Sequence, residues 1–308
     1  PDSVALLLRT SGTTSLPKIV PLTLGSIVRN ATILANELGL TPSDVALNAM
    51  PLFHIGGLSA SILAPLATGG SVVCLPSFRP ETFCDALVAG PVPSRPTWYS
   101  SVPTIHLAVM RHASTFRRMI PHSLRLIRSG AADLGHSKAL EMRRVWGGIP
   151  VVPSYSMTEC MPIAQCPPDY ELGKPGTVGR PLTSLRIIRH EEPGGGFREA
   201  PVGVAGEICI AGPNVMAGYA GSGRAAREAN ESAFAALAPD GRRFFRTGDL
   251  GYLDSDGYLY LTGRAKELIK VSGEQVSPYE VEAVLGRHRD VHLSLAYGIP
   301  DEIRGEVT

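Results

Sequence analysis

Apolar positions along the chain fall into two registers. Short runs rich in aliphatic or aromatic residues, at residues 4–8, 46–50, 71–75, 97–100, 124–128 and 149–153, are too brief for helices and read as strands. Between them, residues 80–89, 103–113 and 134–146 carry apolar side chains at helical spacing. Residues 22–40 form the clearest helical pattern, with Ile27, Ala31, Leu34 and Leu38 on one face, Thr23 placed to cap the start and Gly39 near the end. Strand runs separated by helical patterns of about 10–15 residues predict a parallel α/β sheet, in which ligands gather at the carboxyl ends of the strands.

The pattern changes after about Pro167. Residues 173–179 and 192–196 are rich in Gly and Pro, and the apolar runs shorten to 185–188, 207–211 and 251–261. Asp256-Gly257 between alternating flanks predicts a hairpin. Asp254-x-Asp256-Gly257 is not a calcium loop, because it lacks the spacing and the terminal glutamate. The chain therefore divides into an α/β part over residues 1–174, a β-rich subdomain over 175–265, and a further segment over 266–308.

With 308 residues the chain can bury one or two substantial cores. Its 29 Lys and Arg against 28 Asp and Glu leave +1, which gives no electrostatic case for a nucleic-acid partner. No apolar run reaches transmembrane length. Cys74, Cys84, Cys160, Cys166 and Cys209 are dispersed without metal spacing, which suggests reduced thiols and an intracellular, cytoplasmic setting. The start, Pro1-Asp2-Ser3, has neither an initiator Met nor a signal-peptide pattern, as expected of an excerpt.

Candidate chemistry begins at Thr10-Ser11-Gly12-Thr13-Thr14-Ser15-Leu16-Pro17-Lys18. Backbone amides turned by a glycine, several hydroxyls and a mobile lysine suit a phosphate. A Walker P-loop is excluded, because no second glycine precedes Lys18 and no Ser or Thr follows it. Ser15-x-x-Lys18 also fits a serine acyl-transferase, but the companion Ser-Asp-Asn and Lys-Thr-Gly motifs are absent. A helix starting just past this loop would aim its positive end near bound phosphates. Small residues at Ser129-Gly130-Ala131-Ala132 let a flat ligand lie against the backbone, or simply make a turn. In Tyr155-Ser156-Met157-Thr158-Glu159, an aromatic can stack on a purine, a threonine can donate to a phosphate and a carboxylate can hold Mg²⁺. An aspartate in Thr247-Gly248-Asp249 can accept both hydroxyls of a ribose, or cap a turn. His54, beside apolar residues, reads by itself as a packed core histidine.

Thr10-Ser11-Gly12-Thr13-Thr14-x-x-Pro17-Lys18, Tyr155-Ser156-x-Thr158-Glu159, Thr247-Gly248-Asp249 and Gly263-Arg264-Ala265-Lys266 together resemble the adenylate-forming superfamily of acyl-CoA synthetases, peptide-synthetase adenylation domains and luciferases. Ser156 stands where that family has glycine. The resemblance implies a fold of parallel sheets with flanking helices, a β-rich subdomain of distorted-barrel form, and the start of a small α+β C-terminal domain. It further implies ATP and Mg²⁺, a small carboxylic acid substrate, and CoA or a carrier-protein thiol as acceptor. By the same resemblance Lys18 and the hydroxyl loop hold phosphates, Gly130, Ala131 and Ala132 border the nucleotide, and Tyr155 stacks on it. Ser156 and Thr158 lie beside the phosphates, Glu159 holds the metal, Asp249 and Arg264 bind the nucleotide, and His54 gates the acid. Lys266 is the hinge of the C-terminal domain, and Lys270, Ser272 and Gly273 approach the thiol channel.

Residues 97–104 (Thr-Trp-Tyr-Ser-Ser-Val-Pro-Thr), 174–179 (Lys-Pro-Gly-Thr-Val-Gly) and 266–269 (Lys-Glu-Leu-Ile) look closest to oxalate–CoA ligases and their relatives. Gly56 replaces that branch's second His, and Gly130-Ala131-Ala132 its Cys-Ser-Ala; both lie where acid selection is expected, so the acid stays open. Lys270 is the last lysine, whereas the family carries an adenylation lysine further on, so this excerpt is expected to bind nucleotide weakly and turn over poorly. A loading domain for a carrier protein and a catalytically silent nucleotide-binding module are the alternative readings, and a peroxisomal location is compatible.

Overall fold

Strands buried on both faces need continuous apolar runs, and the central strands here have them. The computed structural model describes residues 2–10, 18–115, 121–190, 197–236, 241–272, 274–286, 288, 291, 294–301 and 305–307. They fall into two units, residues 1–183 with 212–232, and residues 184–211 with 233–308.

In the first unit, β1 (Val4–Arg9) pairs antiparallel with β2 (Ile19–Thr23). Helix α1 (Leu24–Glu37) follows, and its cap is the predicted one: the Thr23 hydroxyl accepts from the Ser26 amide at 3.1 Å. The strands β3 (Val45–Asn48), β4 (Ser71–Cys74), β5 (Trp98–Ser101), β6 (Leu126–Ser129) and β7 (Val151–Met157) are parallel. Two further strands, β8 (Cys160–Gln165) and β9 (Thr177–Pro181), continue the sheet antiparallel, in the order β9-β8-β7-β6-β5-β3-β4. The expected parallel sheet is thus a mixed one.

Three helices flank it: α3 (Pro80–Val88), α4 (Pro103–Ala113) and α5 (His136–Val145). The first two carry proline in the opening turn, where a missing N–H costs nothing. Before them, a π-helix (Gly56–Leu63) runs into the short α2 (Ala64–Ala67). A Cβ on Gly57 would lie 2.4 Å from the Pro51 carbonyl oxygen, so only glycine fits there. The core between sheet and helices holds Trp98, Tyr99, Phe83, Leu126 and Trp146, each at most 1% exposed. A last helix, α6 (Arg224–Ala233), is largely polar.

At the amino edge of the parallel strands, Asp44 (3% exposed) binds Arg125 through Oδ1–Nε at 2.7 Å and Oδ2–Nη2 at 3.0 Å. It also accepts from the Thr97 hydroxyl at 2.7 Å and the Thr41 amide at 2.8 Å. Burial alone would raise this carboxyl's pKa, but these donors hold it down to about 2. One side chain thereby ties together the residues that lead into β3, β5 and β6.

The second unit is β-rich. Strands β10 (Ser184–His190), β11 (Phe197–Glu199), β12 (Gly206–Ala211), β13 (Phe234–Ala236), β14 (Arg243–Leu253) and β15 (Leu259–Arg264) pair antiparallel in the order β11-β10-β12-β14-β15, with β13 also on β14. The Asp256-Gly257 turn joins β14 to β15 as predicted, with Gly257 at φ 78° and Asp254 Oδ1 accepting from the amides of Asp256 and Tyr258. The distorted barrel implied by the resemblance is instead an open sheet among the described residues. Its short end strand β11 pairs with β10, at the opposite end of the order from β15. Beyond it, β16 (Ile269–Val271), β17 (Glu274–Val276), β18 (Ile299–Asp301) and β19 (Gly305–Val307) form a small sheet in the order β17-β16-β19-β18, accompanied by α7 (Pro278–Leu285).

Candidate functional site

The hydroxyl-rich segment lies in sequence between β1 and β2, which pair antiparallel. β1 ends at Arg9, opposite Ile19, and the turn is closed where the Thr10 amide donates to the Lys18 carbonyl at 2.9 Å and the Lys18 amide to the Thr10 hydroxyl at 3.3 Å. Ser11, Gly12, Thr13 and Thr14 lie outside the described residues. The expected helix end beside the loop is not there. β2 intervenes, and five residues of strand carry the start of α1 about 16 Å from Lys18.

Tyr155-Ser156-Met157-Thr158-Glu159 is the tip of a second hairpin, in which Met157 pairs with Cys160 and Thr158-Glu159 make the turn. β7 runs further than the apolar pattern suggested, so Tyr155 lies within the strand and is buried at 6% exposure. Glu159 is 5% exposed. Its carbonyl accepts from the Met216 amide at 2.8 Å, and its carboxylate Oε1 accepts from the Tyr219 hydroxyl at 2.8 Å.

The Tyr219 ring in turn carries the Lys18 ammonium, with Nζ 4.4 Å from the ring centroid. The Asn230 side chain fixes Tyr219 by bonding both sides of its backbone, at 2.7 Å to the amide and 3.0 Å to the carbonyl. Burial, and then the Glu159 charge, push the Tyr219 hydroxyl far above its usual pKa, so it remains a donor. Lys18 and Glu159, far apart in sequence, are thus brought together through a tyrosine that the motifs did not flag.

At the carboxyl end of β6, Gly130 is buried, while Ala131 and Ala132 are exposed. Ala131 has φ 68°, a left-handed turn that leaves the sheet plane. Beneath it lies Arg128, 2% exposed, donating to Gln165 Oε1 at 2.7 Å, Ser100 Oγ at 3.1 Å and Ser156 Oγ at 3.3 Å. His54 is exposed rather than packed in the core, with Phe53 against it at a centroid distance of 4.6 Å, and it precedes the π-helix. Among the described residues it is His106 that is fully buried, and burial lowers its pKa to about 4.

Residues 1–220 match the family described as AMP-binding enzyme. The chain belongs to that family. It is 41% identical to an oxalate–CoA ligase of Arabidopsis thaliana, covering 99% of this chain and 57% of that protein. It is 39% identical to a sulfoacetate–CoA ligase of Cupriavidus necator, over 99% of this chain and 56% of that one. Among solved structures, the O-succinylbenzoate coenzyme A synthetase of Bacillus subtilis, in complex with ATP and magnesium ion, superposes with a TM-score of 0.82 at 34% identity, covering 99% of this chain and 59% of that chain. The chain thus spans somewhat over half the length of these relatives.

In the second unit of this AMP-binding enzyme chain, two more predicted residues meet. Asp249 pairs with Arg264 across β14 and β15, Oδ1 to Nε at 2.9 Å, and Asp249 is 8% exposed. The Asp249 amide donates to the Thr247 hydroxyl, which bonds the Ile208 carbonyl and fixes the turn. Lys266 is exposed in the turn after β15. Lys270 is exposed, and its amide donates to Glu306 Oε2 at 2.6 Å; Ser272 has φ 52°, and Gly273 lies outside the described residues.

Among the described residues no cluster of three His, Cys, Asp or Glu side chains could hold a metal by itself, and no helix is long and apolar enough to cross a membrane. Glu159, a single buried carboxylate linked through Tyr219 to Lys18, fits Mg²⁺, which binds through one or two carboxylates while phosphates and water fill the rest of its shell.

Proposed function

We propose that the protein carrying this chain joins a small carboxylic acid to a thiol, most simply that of CoA, at the expense of ATP. A carboxylate oxygen of the acid attacks the α-phosphorus of ATP and pyrophosphate leaves. The thiol then attacks the acyl carbon of the adenylate and AMP leaves. The observation that carries this reading is the Lys18–Tyr219–Glu159 arrangement, a cation and a buried carboxylate held on one aromatic.

In this reading Lys18 and the residues from Thr10 to Thr14 bind the β- and γ-phosphates, and the Thr158 hydroxyl donates to a phosphate oxygen. Glu159 holds Mg²⁺, which neutralises phosphate charge. Since both reactants are anionic, most of the rate comes from cations and donors fixed in place beforehand. Gly130, Ala131, Ala132, Tyr155 and Ser156 border the nucleotide. Asp249 and Arg264 are assigned to the nucleotide as well, and Arg264, which now neutralises Asp249, releases it when ribose hydroxyls bind. His54, exposed at the end of the Pro51 turn, is free to move against the acid. Lys266 acts as a hinge, and Lys270, Ser272 and Gly273 line the thiol's approach.

The test uses the full-length protein with ATP, Mg²⁺, a panel of small mono- and dicarboxylic acids, and hydroxylamine to trap the adenylate. Hydroxamate from one acid, and a thioester once CoA is added, are expected. A thioester formed only on a carrier protein would redirect the second step, and no hydroxamate from any acid would overturn the reading.

A further inference from the structure

A guanidinium buried away from water normally faces a carboxylate, because an unpaired charge in the interior is costly. Arg128 does not. Its partners are Gln165 Oε1, Ser100 Oγ and Ser156 Oγ, all neutral. Burial lowers its pKa to about 10, with no nearby carboxylate among the described residues to raise it again. Three of its five N–H groups are engaged, which leaves two for another acceptor.

The location of this charge is specific. A Cβ built on Gly130 would lie 3.5 Å from Arg128 Nη1 and 2.8 Å from Ser154 Oγ, so the guanidinium sits directly against the Gly130–Ala132 loop at the carboxyl edge of the parallel strands. Ser156 belongs to the segment that ends in Glu159. Bridging three strands needs hydrogen bonds but no charge, so the charge itself calls for an anion supplied from outside the protein.

We propose that Arg128 is a specificity-determining residue that recognises a second negative charge on the acid, and that the substrate is therefore a small dianionic acid, either a dicarboxylate or a sulfonated carboxylate. The planar fork of arginine matches a carboxylate or sulfonate oxygen pair. The names of the two ligases described above, for oxalate and for sulfoacetate, belong to acids of this kind. The assignment rests on the acid–thiol ligase reading.

The experiment compares kcat/KM of the full-length protein for oxalate, malonate and sulfoacetate with that for acetate and propionate, by hydroxamate formation. The wild type is expected to prefer the dianions. Arg128→Gln should lower kcat/KM for the dianions roughly 30-fold, as expected for losing one charge at several ångströms in a partly buried site, while the monoanions and the KM for ATP stay unchanged. Arg128→Lys should restore part of the preference. Gln165→Glu places a counter-charge at the existing 2.7 Å contact and should abolish the preference, although it gives up the amide's bonds to the Pro153 and Cys166 carbonyls; Arg128→Lys, which keeps the charge and leaves Gln165 intact, covers the case of variants that fail to fold. A wild type that prefers monoanions, or variants that lose both acid classes in parallel, would overturn this assignment and leave the ligase reading intact. Absence of adenylate from every acid would sink both.

Discussion

Asp44→Asn tests whether the amino edge of the parallel sheet is held by charge. In the folded chain the Asp44 carboxyl sits at about 2 against an ordinary 3.8. That depression corresponds to about 2.4 kcal/mol of stability when the group is ionised, at roughly 1.36 kcal/mol per pKa unit. Because Arg125 is 37% exposed, solvent screening trims this to about 2 kcal/mol. A depressed carboxyl contributes fully above its unfolded pKa and loses the contribution as pH falls through its folded one. The wild-type advantage over Asp44→Asn should therefore be complete above about pH 5, about half gone near pH 3, and absent below the folded pKa. Urea unfolding followed by the fluorescence of Trp98 and Trp146, both buried in the same unit as Asp44, reads the difference directly. An Asn variant that loses the same free energy at pH 6 and pH 3 would refute the ionic account and leave only shape and neutral hydrogen bonding. One that loses less than about 0.5 kcal/mol at pH 6 would refute the anchoring role altogether.

Three further outcomes are expected. Gly179→Ala should cost more than about 4 kcal/mol or prevent soluble expression, since its Cβ would lie 1.9 Å from the Gln165 carbonyl carbon and the backbone has φ 96°; a well-folded variant by circular dichroism would contradict the register of β8 and β9. Thr23→Ala should lower unfolding free energy by about 1 kcal/mol through loss of the α1 cap, and Thr23→Ser should recover it in the same urea titration. Glu159→Gln should leave the melting temperature nearly unchanged, because Tyr219 can still donate to the amide oxygen, yet lower the full-length protein's adenylation by roughly 100-fold or more; wild-type rates in the hydroxamate assay would remove Glu159 from the site.

Much of the fold was legible locally. Helix α4 came out at Pro103–Ala113, the span its spacing gives, because a proline marks its first turn and the apolar face repeats without interruption. The start of α1 was equally plain from Thr23. Strands that break the usual grammar were not legible: β2 contains Pro21 and turns the apolar Ile19 outward, so its alternating burial has no matching polarity pattern, and β8 contains Pro162 and is buried on every residue. Missing β2 produced the mistaken helix end beside the phosphate loop. Missing β8 turned a mixed sheet into a parallel one.

The candidate site divides in the same way. The lysine at Lys18 and the carboxylate at Glu159 are set by residue type within short motifs, where chemistry depends on neighbours a few positions away. Their assembly depends on contacts that no local window contains: Lys18 and Glu159 meet through Tyr219, which Asn230 fixes in place. His54 stands exposed where its apolar neighbours suggested burial, because the turn at Pro51 and the π-helix after it carry the side chain outward. Arg128 gave no signal at all in sequence, being one polar residue in a strand. Its significance comes from burial without a counter-charge, and whether a charge is paired depends on which strands the chain packs around it.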